Sequence, residues 1–168
     1  MTTNIQELKD NTELLIEKES CVNAADEEVM TPLMHASKKG HKDIVELLIE
    51  KESCVNATDK EDWTPIMYAT YNGYKDIVEL LIESGTDINA ANEDGRTPLM
   101  FATNNGNRDI VELLIESGAD INATDENGRT PIMYAIKRAN QDIVELLIEK
   151  GAEVETVAKK AMCFSSVL

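Results

Sequence analysis

A chain of 168 residues has room for one ordinary globular domain or one short array of repeats. It is 42% apolar but only 4% aromatic, so its core must be aliphatic, and its net charge of −16 argues against nucleic acid or an anionic membrane as partner, because phosphates need clustered Lys and Arg. No apolar run reaches the roughly 18 residues of a membrane span, Met1 to Asp10 lacks the basic and apolar stretches of a signal peptide, and Cys21, Cys54 and Cys163 form no CxxC pair, so a soluble, cytoplasmic chain (the nucleus remaining open) with reduced, buried thiols is expected.

Self-similarity organises everything else. Thr-Pro-Leu-Met or Thr-Pro-Ile-Met starts at Thr31, Thr64, Thr97 and Thr130, always 33 residues apart. Asp-Ile-Val-Glu-Leu-Leu-Ile-Glu starts at Asp43, Asp76, Asp109 and Asp142 with the same step, and a degraded copy begins at Asp10. One domain over 1–168 is expected, with 1–25 as an N-terminal half repeat and cap. Full repeats follow at 26–58, 59–91, 92–124 and 125–157, and then a tail at 158–168.

Within each repeat the elements read in order. An Asx- and Gly-rich stretch such as Asn92-Glu93-Asp94-Gly95 predicts a turn. Thr as N-cap with Pro at the first helical position predicts a short first helix, for example Pro65 to about Asn72. Gly40, Gly73 and Gly106 suit a left-handed helix end. Asp43, three residues before Glu46, has capping-box spacing and predicts a second helix from Ile44 to about Lys51, with Ile44, Leu47 and Leu48 on one stripe. One such unit cannot bury its stripe alone, but stacked neighbours can. In the tail, Ala161, Met162, Phe164, Val167 and Leu168 are apolar. They either fold back over the fourth repeat or mark the chain as a piece of a longer array.

The period, the first helix Thr97-Pro98-Leu99-Met100-Phe101-Ala102 and the stretch Gly118-Ala119-Asp120-Ile121-Asn122-Ala123 resemble those of ankyrin repeat proteins over residues 10–157. The resemblance implies an all-α solenoid of stacked helix-turn-helix units with projecting hairpin-like loops. Loop tips and first helices would line a concave face that binds a protein partner. Several positions depart from the family pattern. Met34, Met67, Met100 and Met133 replace its His, Glu19 and Glu52 replace the Gly seen at Gly85, Gly118 and Gly151, and Ala139 and Glu155 replace a first-helix Gly and a loop Asn. A left-handed Glu52 would cost roughly 1 kcal/mol.

Fifteen of the 32 acidic residues belong to the five second-helix motifs and read as a solvated back. The implied binding face is different. Its cations Lys38, Lys39, Lys60, Arg96, Arg129, Lys137 and Arg138 slightly outnumber the carboxylates of Glu27, Glu28, Glu61, Glu93, Asp94 and Glu126. Met30, Trp63, Tyr71, Asn72, Asn104 and Asn105 complete the candidate contact set, with Met30, Trp63, Tyr71 and Arg96 as anchors, since binding energy concentrates in Trp, Tyr and Arg. Trp63 is expected to be exposed. Tyr68 ranks below it, because Phe101 and Tyr134 occupy the equivalent place and imply packing. Tyr74 falls at a solvent-side position and is left out.

Nothing points to catalysis. His35 and His41 have no partner at metal-ligand spacing, no nucleophile has a base beside it, and no phosphate loop, cofactor site or small-molecule site is evident. Cys21 and Cys54 lie one repeat apart, and helix packing at about 8–10 Å exceeds disulfide reach. Asn56, Asn89 and Asn122 resemble asparagines hydroxylated in many ankyrin proteins, but a backbone-satisfying turn role is the stronger reading of them. The identity of Glu13–Ala24 with Glu46–Ala57 leaves a partnerless consensus scaffold, or a fragment of a larger protein, as the alternatives to a binding module.

Overall fold

The computed structural model describes residues 22–154. The degraded motif at Asp10, Glu19, Cys21, Glu155, Cys163 and the apolar tail lie outside the described residues. Among those described, eight helices and no strand are found, in two compact units divided between Asp87 and Ile88. The first unit holds α1 (Pro32–Lys39), α2 (Lys42–Glu50), α3 (Pro65–Asn72) and α4 (Lys75–Glu83). There α1 packs on α2 and α3, α3 on α4, and α2 on α4. The second unit repeats the plan with α5 (Pro98–Asn105), α6 (Arg108–Glu116), α7 (Pro131–Lys137) and α8 (Gln141–Glu149). Within each unit the first helices thus stack side by side and the second helices do likewise, the all-α repeat architecture expected from the period.

The core is aliphatic, as composition requires. Leu33, Met34, Leu48, Ile66, Met67 and Leu81 are fully buried in the first unit, and Leu99, Leu114, Ile132 and Ile143 in the second. Each such side chain contributes about 1.5–3 kcal/mol of transfer free energy.

Helix starts differ from expectation in two ways. Thr31 caps α1 by accepting the Met34 N–H at 3.3 Å on its hydroxyl. Thr64, Thr97 and Thr130 have the extended cap backbone but make no such bond, and their hydroxyls are buried without a partner. In the last two cases the N3 amides of Met100 and Met133 turn instead to the Thr backbone carbonyl at 3.0 Å. The second helices begin two residues earlier than the Asp spacing indicates. Their N-caps are His41, Tyr74, Asn107 and Asn140, none with a side-chain cap bond. The left-handed turn after the first helix, at Gly40 for example (φ 76°), reverses the chain so sharply that helical geometry resumes at once. Asp43 and its equivalents then sit in the first turn, where a negative charge favours the helix dipole.

Left-handed backbone recurs at three places per repeat, and glycine fills most of them. The exceptions are Val29 (φ 64°), Glu52 (φ 60°), Asp62 (φ 59°) and Ala139 (φ 57°). Glu52 and Ala139 were legible as departures from the family glycines; Val29 and Asp62, standing where Gly95 and Gly128 do, were not. Val29 is the most costly of these, since a β-branched side chain is least tolerated there. It is also exposed, so removing it takes nothing from the core. Val29→Gly is therefore expected to raise unfolding free energy by up to about 1 kcal/mol, as an increased denaturant midpoint at constant slope. A lowered midpoint would contradict the strain.

Candidate protein-binding surface

Each loop tip is folded around one Asx side chain. Asp59 Oδ1 accepts the backbone N–H groups of Glu61 and Trp63, both at 2.9 Å. Asp26 does the same for Glu28 and Met30, and Asp125 for Asn127 and Arg129. Asn92 Oδ1 accepts the Arg96 N–H at 2.9 Å. The second carboxylate oxygen reaches the first helix. Tyr68 donates its hydroxyl to Asp59 Oδ2, Tyr134 donates to Asp125 Oδ2 at 2.6 Å, and His35 Nε2 lies 2.8 Å from Asp26 Oδ2. In the third repeat the helix residue is Phe101, which has no hydroxyl, and the loop residue is the neutral Asn92. An acid therefore stands wherever a side-chain donor faces it. One side chain thus fixes the tip and ties it to the helix.

The clamp shifts the ionisation of its members. The His35 ring, with the Met30 and Glu28 amides, holds Asp26 below the ordinary carboxylate range. Burial raises Asp125, but the Tyr134 hydroxyl and the Arg129 and Asn127 amides outweigh it and leave the carboxyl lowered. Burial first, then the Asp59 carboxylate, pushes the Tyr68 phenol well up; burial and Asp125 also raise Tyr134.

In the first unit the clamp supports an aromatic cluster. The Trp63 ring lies 5.0 Å from Tyr68 at 34° and 5.6 Å from Tyr71 at 77°, an edge contact. Lys38 Nζ stands 5.0 Å from the Tyr68 centroid, within cation–π reach. Tyr71 is 49% exposed, whereas Trp63 is half-buried rather than an open indole, because it rests on Tyr68. Met30 is a correction. It is only 7% exposed and packs with Met34 and Tyr68 beneath Trp63, since Asp26 turns the loop so that this flexible apolar chain points inward. It supports the surface and does not belong to it. Lys39 and Asn72 are exposed, Lys60 pairs with Glu28 at 3.5 Å, and Asn72 donates to the Tyr68 carbonyl at 2.8 Å. Tyr74, set aside as solvent-side, is half-buried. Its ring lies so close to Gly40 that a Cβ there would meet it at 2.7 Å.

The second unit carries the polar candidates. Arg96 is half-buried, its guanidinium 5.9 Å from the Tyr134 centroid and its Nε 3.7 Å from Asp94. Arg138 donates from Nε to Asn104 Oδ1 at 3.0 Å, and Asn104 donates to Asn105. Lys137 and Arg138 are exposed and Arg129 is half-buried.

Asn23 and Asn56 in the first unit, and Asn89 and Asn122 in the second, share one role. Their amide oxygens accept the backbone N–H of Cys54, Asp87, Asp120 and Glu153, one repeat on, at 2.8–2.9 Å. Cys54 is exposed, contrary to the buried thiol expected, because it sits on this loop rather than in the helix stack. Among the described residues no group of three or more His, Cys, Asp or Glu could hold a metal ion, and no helix is long and apolar enough to cross a membrane.

A family model described as Ankyrin repeats (3 copies) matches residues 5–92 and 84–158. No curated protein matches the chain.

The lowered Asp125 sets an acid dependence. Its contribution is fully present above the unfolded-state value of about 3.9 and is lost as pH falls through the lower folded value. Asp125→Asn is expected to flatten the fall of unfolding free energy between about pH 5 and pH 2, measured by urea denaturation at each pH. An unchanged profile would remove Asp125 from the account.

Proposed function

Because the chain belongs to the ankyrin repeat family, whose members are generally protein–protein interaction modules, we propose that it is a non-catalytic, cytoplasmic module that binds a protein partner through its loop tips and first helices. The observation that carries this reading is the Trp63–Tyr68–Tyr71 cluster, with Lys38 against it, fixed by the Asp59 clamp. An aromatic surface already held by hydrogen bonds loses little side-chain freedom on binding, so more of the contact energy appears as affinity. Tyr71 and the open edge of Trp63 act as anchors. Lys38 and Lys39 orient acidic groups of the partner, and in the second unit Arg96, Asn104, Asn105, Arg129, Lys137 and Arg138 supply polar contacts. A net charge of −16 favours a protein over nucleic acid or an anionic membrane.

Trp63→Ala is expected to weaken partner binding by more than about 1 kcal/mol, roughly fivefold in Kd. The check is a titration of parent and variant with a partner that the parent recovers from lysate. An unchanged dissociation constant would refute the aromatic anchor.

A further inference from the structure

At both loop tips of the first unit, side chains that strain the backbone fill the position that glycine holds in the second. Val29 (φ 64°) and Asp62 (φ 59°) stand in register with Gly95 and Gly128. Both are exposed, Val29 to 43%. An exposed side chain on left-handed backbone adds strain to the fold without burial to offset it, and strain of this kind clusters where a protein makes its contacts. The two residues immediately precede Met30 and Trp63, so they border the aromatic cluster on its loop side.

Charge is divided across the same surface. On the tips Glu27, Glu61 and Asp62 are exposed, while Lys60 and Glu28, 3.5 Å apart, offset each other. The clamp carboxylates of Asp26 and Asp59 add to the negative side. The first helices start at these tips, α1 after Thr31 and α3 after Thr64. At the far end of α1, Lys38 and Lys39 are exposed. Helical rise puts them about 10 Å beyond Thr31. Val29, the open edge of Trp63 and the exposed Tyr71 supply apolar surface between the two charges. Pooled, the cations and carboxylates nearly cancel; resolved along the helices, they are acidic at one end and basic at the other. The second unit lacks this division, because its tips carry Arg96 and Arg129 among Glu93, Asp94 and Glu126.

Resting on the reading of the chain as a protein-binding module, we propose that the first unit recognises a partner segment of divided charge. An apolar side chain of that segment is flanked by a basic group on the loop-tip side and a carboxylate on the helix-end side, about 10 Å apart. Val29 and Tyr71 receive the apolar side chain, Glu61 and Asp62 the cation, and Lys39 the carboxylate. Such a span is covered by three or four extended residues or by two turns of helix. Val29 is then kept in strained backbone for its contact with the partner.

The test is selection from a random phage-displayed peptide library on the immobilised full chain, followed by titration of one selected peptide against variants. Binders lost with Trp63→Ala are expected to carry Lys or Arg on one side of an apolar residue and Asp or Glu on the other. Glu61→Lys and Lys39→Glu should each weaken the selected peptide at least about threefold. The effect of Glu61→Lys should vanish when the peptide's cation is replaced by Gln. Val29→Gly should weaken binding at least about threefold while its denaturant midpoint rises, a pairing that loss of fold does not produce. Binders that depend on Trp63 but carry no such charge pair, and that ignore Glu61→Lys and Lys39→Glu, would overturn the proposal and leave the protein-binding reading standing. Selection of no peptide that depends on Trp63 would overturn both.

Discussion

The surface depends on one side chain used twice. A loop carboxylate closes its own tip with one oxygen and grips the first helix with the other, so that tip and helix cannot move independently. Asp59 places the backbone of Trp63 by the 2.9 Å bond to its amide, and through Tyr68 it places the ring on which Trp63 rests. Charge-assisted bonds of this kind, part-buried at Asp59 and buried at Asp125, are stronger than neutral ones, and leaving either member unpaired is costly. The arrangement therefore has two consistent states, acid with donor or amide with apolar ring, and both occur in this chain. Asp59 with Tyr68 and Asp125 with Tyr134 are the first, and Asn92 with Phe101 is the second.

Stacking supplies the stability that the clamp directs. Each two-helix unit buries its aliphatic stripe only against a neighbour, so an end is a place where a side chain must change. Strain has a similar distribution. Among the described residues, three of the four non-glycine residues with positive φ, Val29, Glu52 and Ala139, belong to the first and last full repeats, and the third repeat has none. The most regular unit is the one with the fewest local conflicts, as expected of a landscape in which neighbouring choices agree.

Much of this was legible in the sequence, and the failures have physical causes. The first helix at Pro65–Asn72 follows closely from the sequence, because Thr-Pro at one end and Gly at the other are rules about backbone groups. The second helices began early because a left-handed glycine starts a helix more abruptly than a capping side chain does. Met30 shares its register position with Trp63, Arg96 and Arg129, and register alone cannot tell that an unbranched thioether will fold inward while a guanidinium stays at the rim. The carboxylate clamps escaped notice because their members lie nine residues apart in two different elements. The signal was nevertheless present: Asp accompanies His or Tyr, and Asn accompanies Phe. Tyr68 was correctly read as packing, without its hydroxyl's role.

The most direct measurement is a double-mutant cycle on stability between Asp59→Asn and Tyr68→Phe, monitored by Trp63 fluorescence during denaturation. The clamp predicts that the two together cost at least about 1 kcal/mol less than the sum of their separate effects, because the pair reproduces the self-consistent Asn–Phe state. Strict additivity would mean that carboxylate and phenol act independently, and that the indole is held by something else.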